Sequence, residues 1–378
     1  MDPKIVWLII FVLVYWGYCI YWGIKGAIAA RTASDYMVAG RSIPLWVFVL
    51  AATATSFSGW TFVGHPGLIF RDGFQYAYAS FYTITIPFTG VMFLKRQWML
   101  GKRFGYVTPG EMLSDYFKGD GVRVLTVVVA LFFSIPYLGV QLRASGFLFN
   151  VLTDGALSVN VGMWMLSIVV FIYVASGGLR AVAYVDTLQC ILLALGITAI
   201  GFIGLDAVGG WANLKANIIT LVQNDTKITP DGYSHYIAIP GVIQFVSSGP
   251  SAAGGAWTGM MVLTYMFALM GIQSAPAFSM WSFGNKNPEP FAPQQVWASA
   301  FGIGAILFIF TAIQGIGSHF LGADLSVVNN SPEVVNNVIG SNLGGKDIME
   351  TASKQGGLVP QLINLMSDSA PWLVGLLS

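Results

Sequence analysis

Hydroxyl side chains and helix-breaking residues are concentrated between positions 51 and 67. The segment places Ser56, Ser58 and Thr61 beside Gly59 and Pro66. A helix broken here inside an apolar layer would free backbone carbonyls and amides, and these groups must then face protein or a polar cavity. Freed carbonyls suit Na⁺, and the positive end of the following half-helix suits an anionic group. A continuous crossing that packs closely through its small residues explains the same composition, so both interpretations stay open.

Two further segments carry polar side chains in patterns that could bind a ligand. Tyr137 and Gln141 are four residues apart, so they share one face of a helix. Gln273 and Ser274 precede Pro276 in an otherwise apolar stretch. Such a stretch predicts either a second broken helix or a kinked packing helix.

The elements that position these residues are long runs without charge. Hydrophobic residues make up 55% of the 378 positions and charged residues only 9%, whereas a soluble domain carries about 25% charge. No Asp, Glu, Lys or Arg occurs in 5–24, 43–70, 73–94, 124–142, 155–179, 187–205, 232–285 or 290–323. Each run can hold the ~20 apolar residues that cross a bilayer as a helix. The runs lack the alternation of barrel strands, which predicts an all-α polytopic membrane protein.

The charge-free runs predict eight complete spans and the start of a ninth. Their expected ranges are 5–24, 43–69, 73–94, 124–150, 159–177, 183–205, 256–283, 294–321 and, for the ninth, 371–378. The polar connections 206–255 and 322–370 are expected to be external loops. Positive residues mark the cytoplasmic side of such proteins. An N-terminus outside the membrane leaves most of them inside, namely Lys25, Arg31, Arg41, Lys95, Arg96, Lys102, Arg103, Lys118, Arg123, Arg180 and Lys286.

Several function classes lack support in the sequence. The net charge is +1, which gives no basis for binding nucleic acid or another polyanion. No nucleophile–base arrangement, phosphate loop or carboxylate pair is visible. We therefore expect neither an enzyme nor a protein with a cofactor.

Three segments resemble the sodium:solute symporter family. Residues 58–67, SGWTFVGHPG, resemble the family's first core helix, in which S-G-W is followed by G-x-P-G. Residues 108–111, TPGE, match its T-P-x-E segment, and residues 176–189, SGGLRAVAYVDTLQ, are similar to its G-G-L-x-A-V-x-x-x-D-x-x-Q stretch. The TPGE segment also predicts a short helix that starts with a capping box, formed by Thr108 and Glu111. The matches follow the family's order along the chain. With the helix count, the resemblance extends over residues 5–320.

The resemblance implies a LeuT-like inverted-repeat helical bundle with one extra N-terminal helix, incomplete at the C-terminus. Spans two to six would form the first repeat, and span seven would open the second. The family's sodium site would place carbonyl ligands at Ala54 and Phe57, with its hydroxyl ligands just past Ser378. Some members carry an acidic residue where Ser56 stands, which puts an acidic contribution to ion binding in doubt here.

The resemblance also bears on Asp186, the only acidic residue within the body of the predicted spans. A surface carboxylate at a helix start is one interpretation, since the helix dipole favours it there. The resemblance implies instead a point on the path of Na⁺ leaving inward. The family's fourth span walls the solute cavity. We therefore predict a solute site built from Ser56, Ser58, Gly59, Trp60, Thr61, Tyr137, Gln141, Gln273 and Ser274.

These features predict a sodium-coupled secondary transporter, a symporter that imports a small polar solute by alternating access. The solute is expected to be a carboxylate or an amino acid. The alternative is a membrane-embedded solute-sensing module of a signalling protein. The expected partners are the solute, Na⁺ as coupling ion and the lipid bilayer, and the expected location is the bacterial inner (plasma) membrane.

Overall fold

A computed structural model describes residues 2–77, 82–224, 259–318, 321 and 357–378. The regular structure within these ranges is helical. The helices are α1 Pro3–Ala29, α2 Ala33–Val38, α3 Leu45–Thr55, α4 His65–Asp72, α5 Phe74–Ala77, α6 Tyr82–Phe104, α7 Pro109–Phe117, α8 Asp120–Leu152, α9 Val159–Val208, α10 Gly210–Asn224, α11 Gly259–Met270, α12 Pro276–Gly284, α13 Phe291–Gly317, α14 Leu358–Asn364 and α15 Pro371–Leu377.

Four of these helices are long and apolar enough to cross a membrane. They are α1, α8, α9 and α13, with mean hydropathies between 2.0 and 2.2 over their most apolar stretch. A fifth crossing is the bent pair Leu45–Thr55 and Trp60–Phe70, whose axes differ by 57°. Large apolar side chains such as Phe132, Trp164 and Phe171 are exposed on these helices. Such outward-facing apolar surfaces are what a lipid environment covers.

The segment 43–69, predicted as one span, is a broken helix. The helix α3 ends at Thr55, and a π-helical turn, Trp60–Gly64, leads into α4. The segment 256–283 is interrupted in the same way. There α11 is followed by a 3₁₀ turn, Gly271–Ser274, before α12 starts at Pro276.

The predicted spans 159–177 and 183–205 lie in one helical element, α9, that is interrupted at Gly178. This residue has φ 56° and ψ −155°, a conformation that only glycine adopts without strain. A Cβ at Gly178 would also collide with the backbone carbonyl of Tyr36. The Tyr36 hydroxyl in turn donates to the carbonyls of Val174 and Ala175, each at 3.1 Å. The interruption is therefore the place where α2 docks against α9.

Capping interactions start two of the short helices between spans. Thr108 and Glu111 form the capping box that the sequence predicts for α7, and both of its hydrogen bonds are present. Thr32 and Asp35 form another at the start of α2. The Thr32 hydroxyl, 2.8 Å from the carboxylate, keeps the pKa of Asp35 below its usual range.

Both segments predicted as external loops contain helix. The helix α10 lies in 206–255, whose residues 225–255 fall outside the described part. The helix α14 lies in 322–370, and all seven of its residues are buried. Its side chains Leu358, Val359, Leu362 and Ile363 join the same apolar cluster as Ile69 and Phe70 of α4. Part of the second segment thus packs on the second half of the broken helix.

A buried ion pair ties α14 to the start of α1. Lys4, with a side chain only 5% exposed, donates to the carboxylate of Asp154 at 2.7 Å and to Asn364 Oδ1 at 3.1 Å. Asp154 lies in the turn after α8 and is 34% exposed. Three separate stretches of the chain therefore meet at one ammonium group.

We expect Asp154→Asn to lower the free energy of unfolding by about 2 kcal/mol, because it leaves the buried Lys4 ammonium without a counter-charge. Thermal unfolding in detergent measures the effect. The exposed Asp206, changed in the same way, is the control and should leave the melting temperature unaltered. Equal melting temperatures for the two variants would contradict a stabilising role for the ion pair.

Candidate functional site

The break in the first crossing is held by local hydrogen bonds. The Phe57 amide donates to the Ala54 carbonyl at 2.9 Å, which ends α3 in a tight turn. The Ser58 amide donates to Thr61 Oγ1 at 3.3 Å, and the Thr61 amide donates to Ser58 Oγ at 3.4 Å. The hydroxyls predicted as ligand groups thus also stabilise the start of the second half-helix.

The helix α8 packs directly against this break. Gln141 Oε1 accepts a hydrogen bond from the Gly59 amide, and a Cβ at Gly59 would lie only 2.7 Å from the Ala144 methyl group. Glycine is therefore required for the approach. Within the described residues, the buried Gln141 Nε2 has no hydrogen-bond partner. One end of the side chain is fixed by the break, and the other end carries two N–H groups for a ligand.

The smaller of two cavities lies on one side of the break and has a volume of about 250 Å³. Six of the nine residues predicted to bind solute line it: Ser56, Ser58, Trp60, Thr61, Tyr137 and Gln141. The remaining wall is apolar and consists of Ile86, Val140, Leu269, Ile272 and Phe278. The lining is therefore mostly apolar, with uncharged hydroxyl and amide side chains among it.

A larger cavity, about 940 Å³, also adjoins the break, and the residues predicted to bind or guide the ion line it. Ala54, Phe57 and Asp186 line it, as do Ser58, Gly59, Tyr137 and Gln141 of the solute set. The Ala54 carbonyl accepts one hydrogen bond in the tight turn and retains a second lone pair. Carbonyl oxygen and carboxylate at the rim of one cavity form an environment suited to a hard monovalent cation.

Asp186 is not at a helix start, because it lies about two turns past the interruption at Gly178, within the second half of α9. Thr55 Oγ1 lies 3.4 Å from the Asp186 carboxylate and 3.0 Å from the Ala51 carbonyl, and these two acceptors compete for its one proton. Trp281 Nε1 donates to the same hydroxyl at 3.0 Å. Trp281 belongs to α12, behind the second break. Asp186 is therefore linked through Thr55 to both interrupted crossings.

Two residues predicted to bind solute lie elsewhere. Gln273 is buried and its Nε2 lies 3.4 Å from Gln295 Oε1, and Ser274 is exposed on the 3₁₀ turn. Neither residue lines the two cavities. The sequence shows where the second break falls but not which side of it faces the cavity.

Several residues at the site were not selected from the sequence. Thr55 contacts Asp186 and Trp281, while Gln295 contacts both Gln273 and Gln294. Thr55 lies within the polar segment 51–61, so its position in the sequence could have indicated a role at the site. Gln294 and Gln295 lie near the start of a charge-free run, where a polar residue is equally typical of an interface between helices.

The fold and the site together define a class. The protein is a multi-pass helical membrane protein in which a broken helix lines both a small, mostly apolar cavity and a larger one that includes a carboxylate. Interrupted helices that carry ligand groups at mid-membrane are typical of secondary transporters.

The comparisons with known proteins specify the family. The family model described as "Sodium:solute symporter family" matches residues 36–275. This chain therefore belongs to the sodium:solute symporter family. Its fold is that of a LeuT-like symporter: it is similar to the substrate-bound, outward-open structure of a Na⁺-coupled sialic acid symporter, with a TM-score of 0.65 and 17% identity over 99% of this chain and 71% of that one.

Curated relatives match over part of their length. The chain is similar to the sodium/proline symporter of Escherichia coli, with 29% identity over 195 residues, which are 49% of this chain and 37% of that protein. It is also similar to the monocarboxylate transport permease protein of Rhizobium johnstonii, with 25% identity over 238 residues, 62% of this chain and 46% of that protein. The matches thus span less than half the length of these relatives.

Proposed function

We propose that the protein is a Na⁺-coupled symporter that imports a small polar solute across the bacterial inner membrane by alternating access, with its N-terminus outside. The observation that carries the proposal is the position of Gln141 Nε2 beside the helix break, buried and without a partner among the described residues. A buried N–H group that lacks an acceptor costs about 1–3 kcal/mol. An oxygen-bearing solute in the adjoining cavity would remove that cost.

The chemistry of the smaller cavity favours a compact carboxylate. Ser58, Thr61 and Gln141 contribute hydroxyl and amide groups to the mostly apolar lining of a cavity of about 250 Å³. A short acid with a carboxylate at one end and a few carbons at the other matches this lining. An amino acid would add an ammonium group, and none of the residues lining this cavity is acidic. We therefore rank a monocarboxylate above an amino acid.

The larger cavity is the proposed Na⁺ region. The carbonyls of Ala54 and Phe57 would coordinate the ion, and Asp186 would attract it on its inward path. Ser56 supplies no charge, so Asp186 is the acidic group of the described cavity lining. The family membership supports Na⁺ as the coupling ion.

The energetics of this coupling depend on the charge of the solute. One Na⁺ moving inward gains about 2.3 kcal/mol per 100 mV and about 1.4 kcal/mol for a tenfold gradient. A neutral solute or a zwitterion moving with one Na⁺ would use both terms and carry current. A monocarboxylate moving with one Na⁺ would be electroneutral and would use only the gradient.

We expect proteoliposomes that contain the protein expressed from its complete reading frame to take up pyruvate or propionate when Na⁺ is present outside. Replacing Na⁺ by choline at constant pH should reduce the initial rate at least about fivefold, as expected for a coupling free energy of about 1–3 kcal/mol. L-Proline is the amino acid probe. Uptake that is unchanged in choline would refute coupling, whereas solute binding without uptake would favour the sensing alternative.

A further inference from the structure

Three glutamines and one threonine form a continuous buried chain of hydrogen bonds between the two broken helices. Gln273 Nε2 lies 3.4 Å from Gln295 Oε1, Gln295 Nε2 donates to Gln294 Oε1, and Gln294 Nε2 donates to Thr53 Oγ1 at 3.1 Å. The Thr53 hydroxyl then donates to the Val49 carbonyl at 2.6 Å. We call Gln273, Gln295, Gln294 and Thr53 the glutamine relay.

The relay is buried throughout its length. The four residues are exposed by 5%, 3%, 0% and 0%, in the order given. Every bond has the same direction, since each amide N–H donates to the next residue and the threonine hydroxyl ends on a carbonyl. Buried polar chains of this kind rigidify and specify one arrangement when all members are satisfied. Replacing one member by an apolar residue of similar shape leaves its hydrogen-bond partners unsatisfied and lowers stability, so a test of the relay needs a control for stability.

The ends of the relay adjoin the two proposed binding regions. Thr53 directly precedes Ala54, whose carbonyl is a proposed Na⁺ ligand. Gln273 directly follows Ile272, which lines the proposed solute cavity. The middle of the relay is the start of α13, where the winding from Gln294 to Ile303 is π-helical. Such π-helical segments are frequent at functional sites.

We propose that the glutamine relay consists of positioning residues that transmit occupancy of the Na⁺ region to the 3₁₀ turn beside the solute cavity. A movement of α3 that tightens the Ala54 carbonyl on an ion shifts Thr53, and the rigid relay moves Gln273 with it. This inference rests on the proposed function, because it takes the Ala54 region as the Na⁺ site.

The test uses Na⁺ as the only ligand and reads the far end of the relay. A Ser274→Cys substitution places a thiol on the exposed 3₁₀ turn next to Gln273. The native Cys19 and Cys190 are 1% and 4% exposed, so they react slowly with a hydrophilic maleimide. Saturating Na⁺, compared with choline, should change the labelling rate of this parent variant at least about fivefold.

Variants of the relay should remove that response. In the Ser274→Cys background, Thr53→Val and Gln294→Met should bring the Na⁺ response to within about twofold of no effect, whereas Thr53→Ser should retain it. Gly90→Ala disturbs the relay from outside, because a Cβ at Gly90 would collide with the Gln295 carboxamide. Gly139→Ala is its control, since the space around Gly139 is open.

A matched control separates coupling from stability. Gln314 lies on the same helix as Gln294, is equally buried, and donates to the Ile197 carbonyl at 2.8 Å outside the relay. Gln314→Met should lower the melting temperature as Gln294→Met does and keep the Na⁺ response. An unchanged response in both Thr53→Val and Gln294→Met, an equal loss in Gln314→Met, or a parent that does not respond to Na⁺ would overturn the relay.

Binding of ²²Na⁺ to the same samples separates the two proposals. If Na⁺ binds to the parent and to each relay variant, and the variants lose only the labelling response, the relay is supported. Na⁺ that binds without any difference in labelling between parent and variants overturns the relay and leaves the symporter proposal intact. Absence of Na⁺ binding to the parent contradicts the proposed function and the relay with it.

Discussion

Replacing Asp186 by asparagine should raise the Na⁺ concentration for half-maximal uptake at least about tenfold. At an effective dielectric constant of about 20, a carboxylate attracts a monovalent cation by about 4 kcal/mol at 4 Å and about 2 kcal/mol at 8 Å. A tenfold change in affinity needs about 1.4 kcal/mol. The carboxylate lines the larger cavity with Ala54 and Phe57. Asparagine keeps the shape and a hydrogen-bond acceptor for Thr55 Oγ1, so the variant removes mainly the charge.

The control for this experiment is Asp206→Asn. Asp206 lies on the same helix α9 but is exposed and does not line either cavity. It should leave the Na⁺ dependence unchanged. If Asp186→Asn showed wild-type Na⁺ dependence and turnover, the carboxylate would have no place in the ion path. A loss of turnover at unchanged Na⁺ affinity would assign Asp186 to the inward release step alone.

The sequence was sufficient for the features that depend on local chemistry. Hydroxyls around Gly59 and the Pro66 that follows were compatible with either a broken helix or a closely packed continuous crossing, and the structure has a 57° bend there. A capping box predicted from Thr108 and Glu111 is present at the start of α7. The charge-free runs predicted a helical membrane bundle, and the family and fold comparisons confirm that class. Each of these signals lies within about 20 residues of chain.

The features that could not be predicted depend on contacts between distant segments. Gln294 is buried because it meets Thr53, 241 positions away. Gln273 was predicted to bind the solute, but its side chain lies against Gln295. The direction of this side chain at the break depends on packing against α13. The sequence predicted two spans joined by a short connection, and the interruption at Gly178 lies in that connection. The positive φ of Gly178 follows from the docking of Tyr36 against it. No local sequence pattern predicts that contact.

The other large effect is expected for Gln141→Leu, which should raise the KM for a carboxylate solute by about 10- to 100-fold. The substitution removes the two N–H donors at Nε2, and hydrogen bonds to charged groups contribute about 1.5–3 kcal/mol. It also removes the acceptor of the Gly59 amide, so a second variant is needed. Gln141→Glu keeps that acceptor and replaces the donors by a negative charge.

The comparison of the two variants separates solute recognition from support of the break. A carboxylate solute should bind Gln141→Glu even more weakly than Gln141→Leu, because two like charges would meet in an apolar cavity. The uncharged amide of the same solute should compete equally well in both. Gln97→Leu, on a glutamine that lines neither cavity and lies 3.4 Å from the Ser282 hydroxyl, is the matched control and should leave KM unchanged. If Gln141→Glu bound the carboxylate as well as wild type does, Gln141 would serve only to fix the break, and the solute would have to be recognised by Ser58, Thr61 and Tyr137.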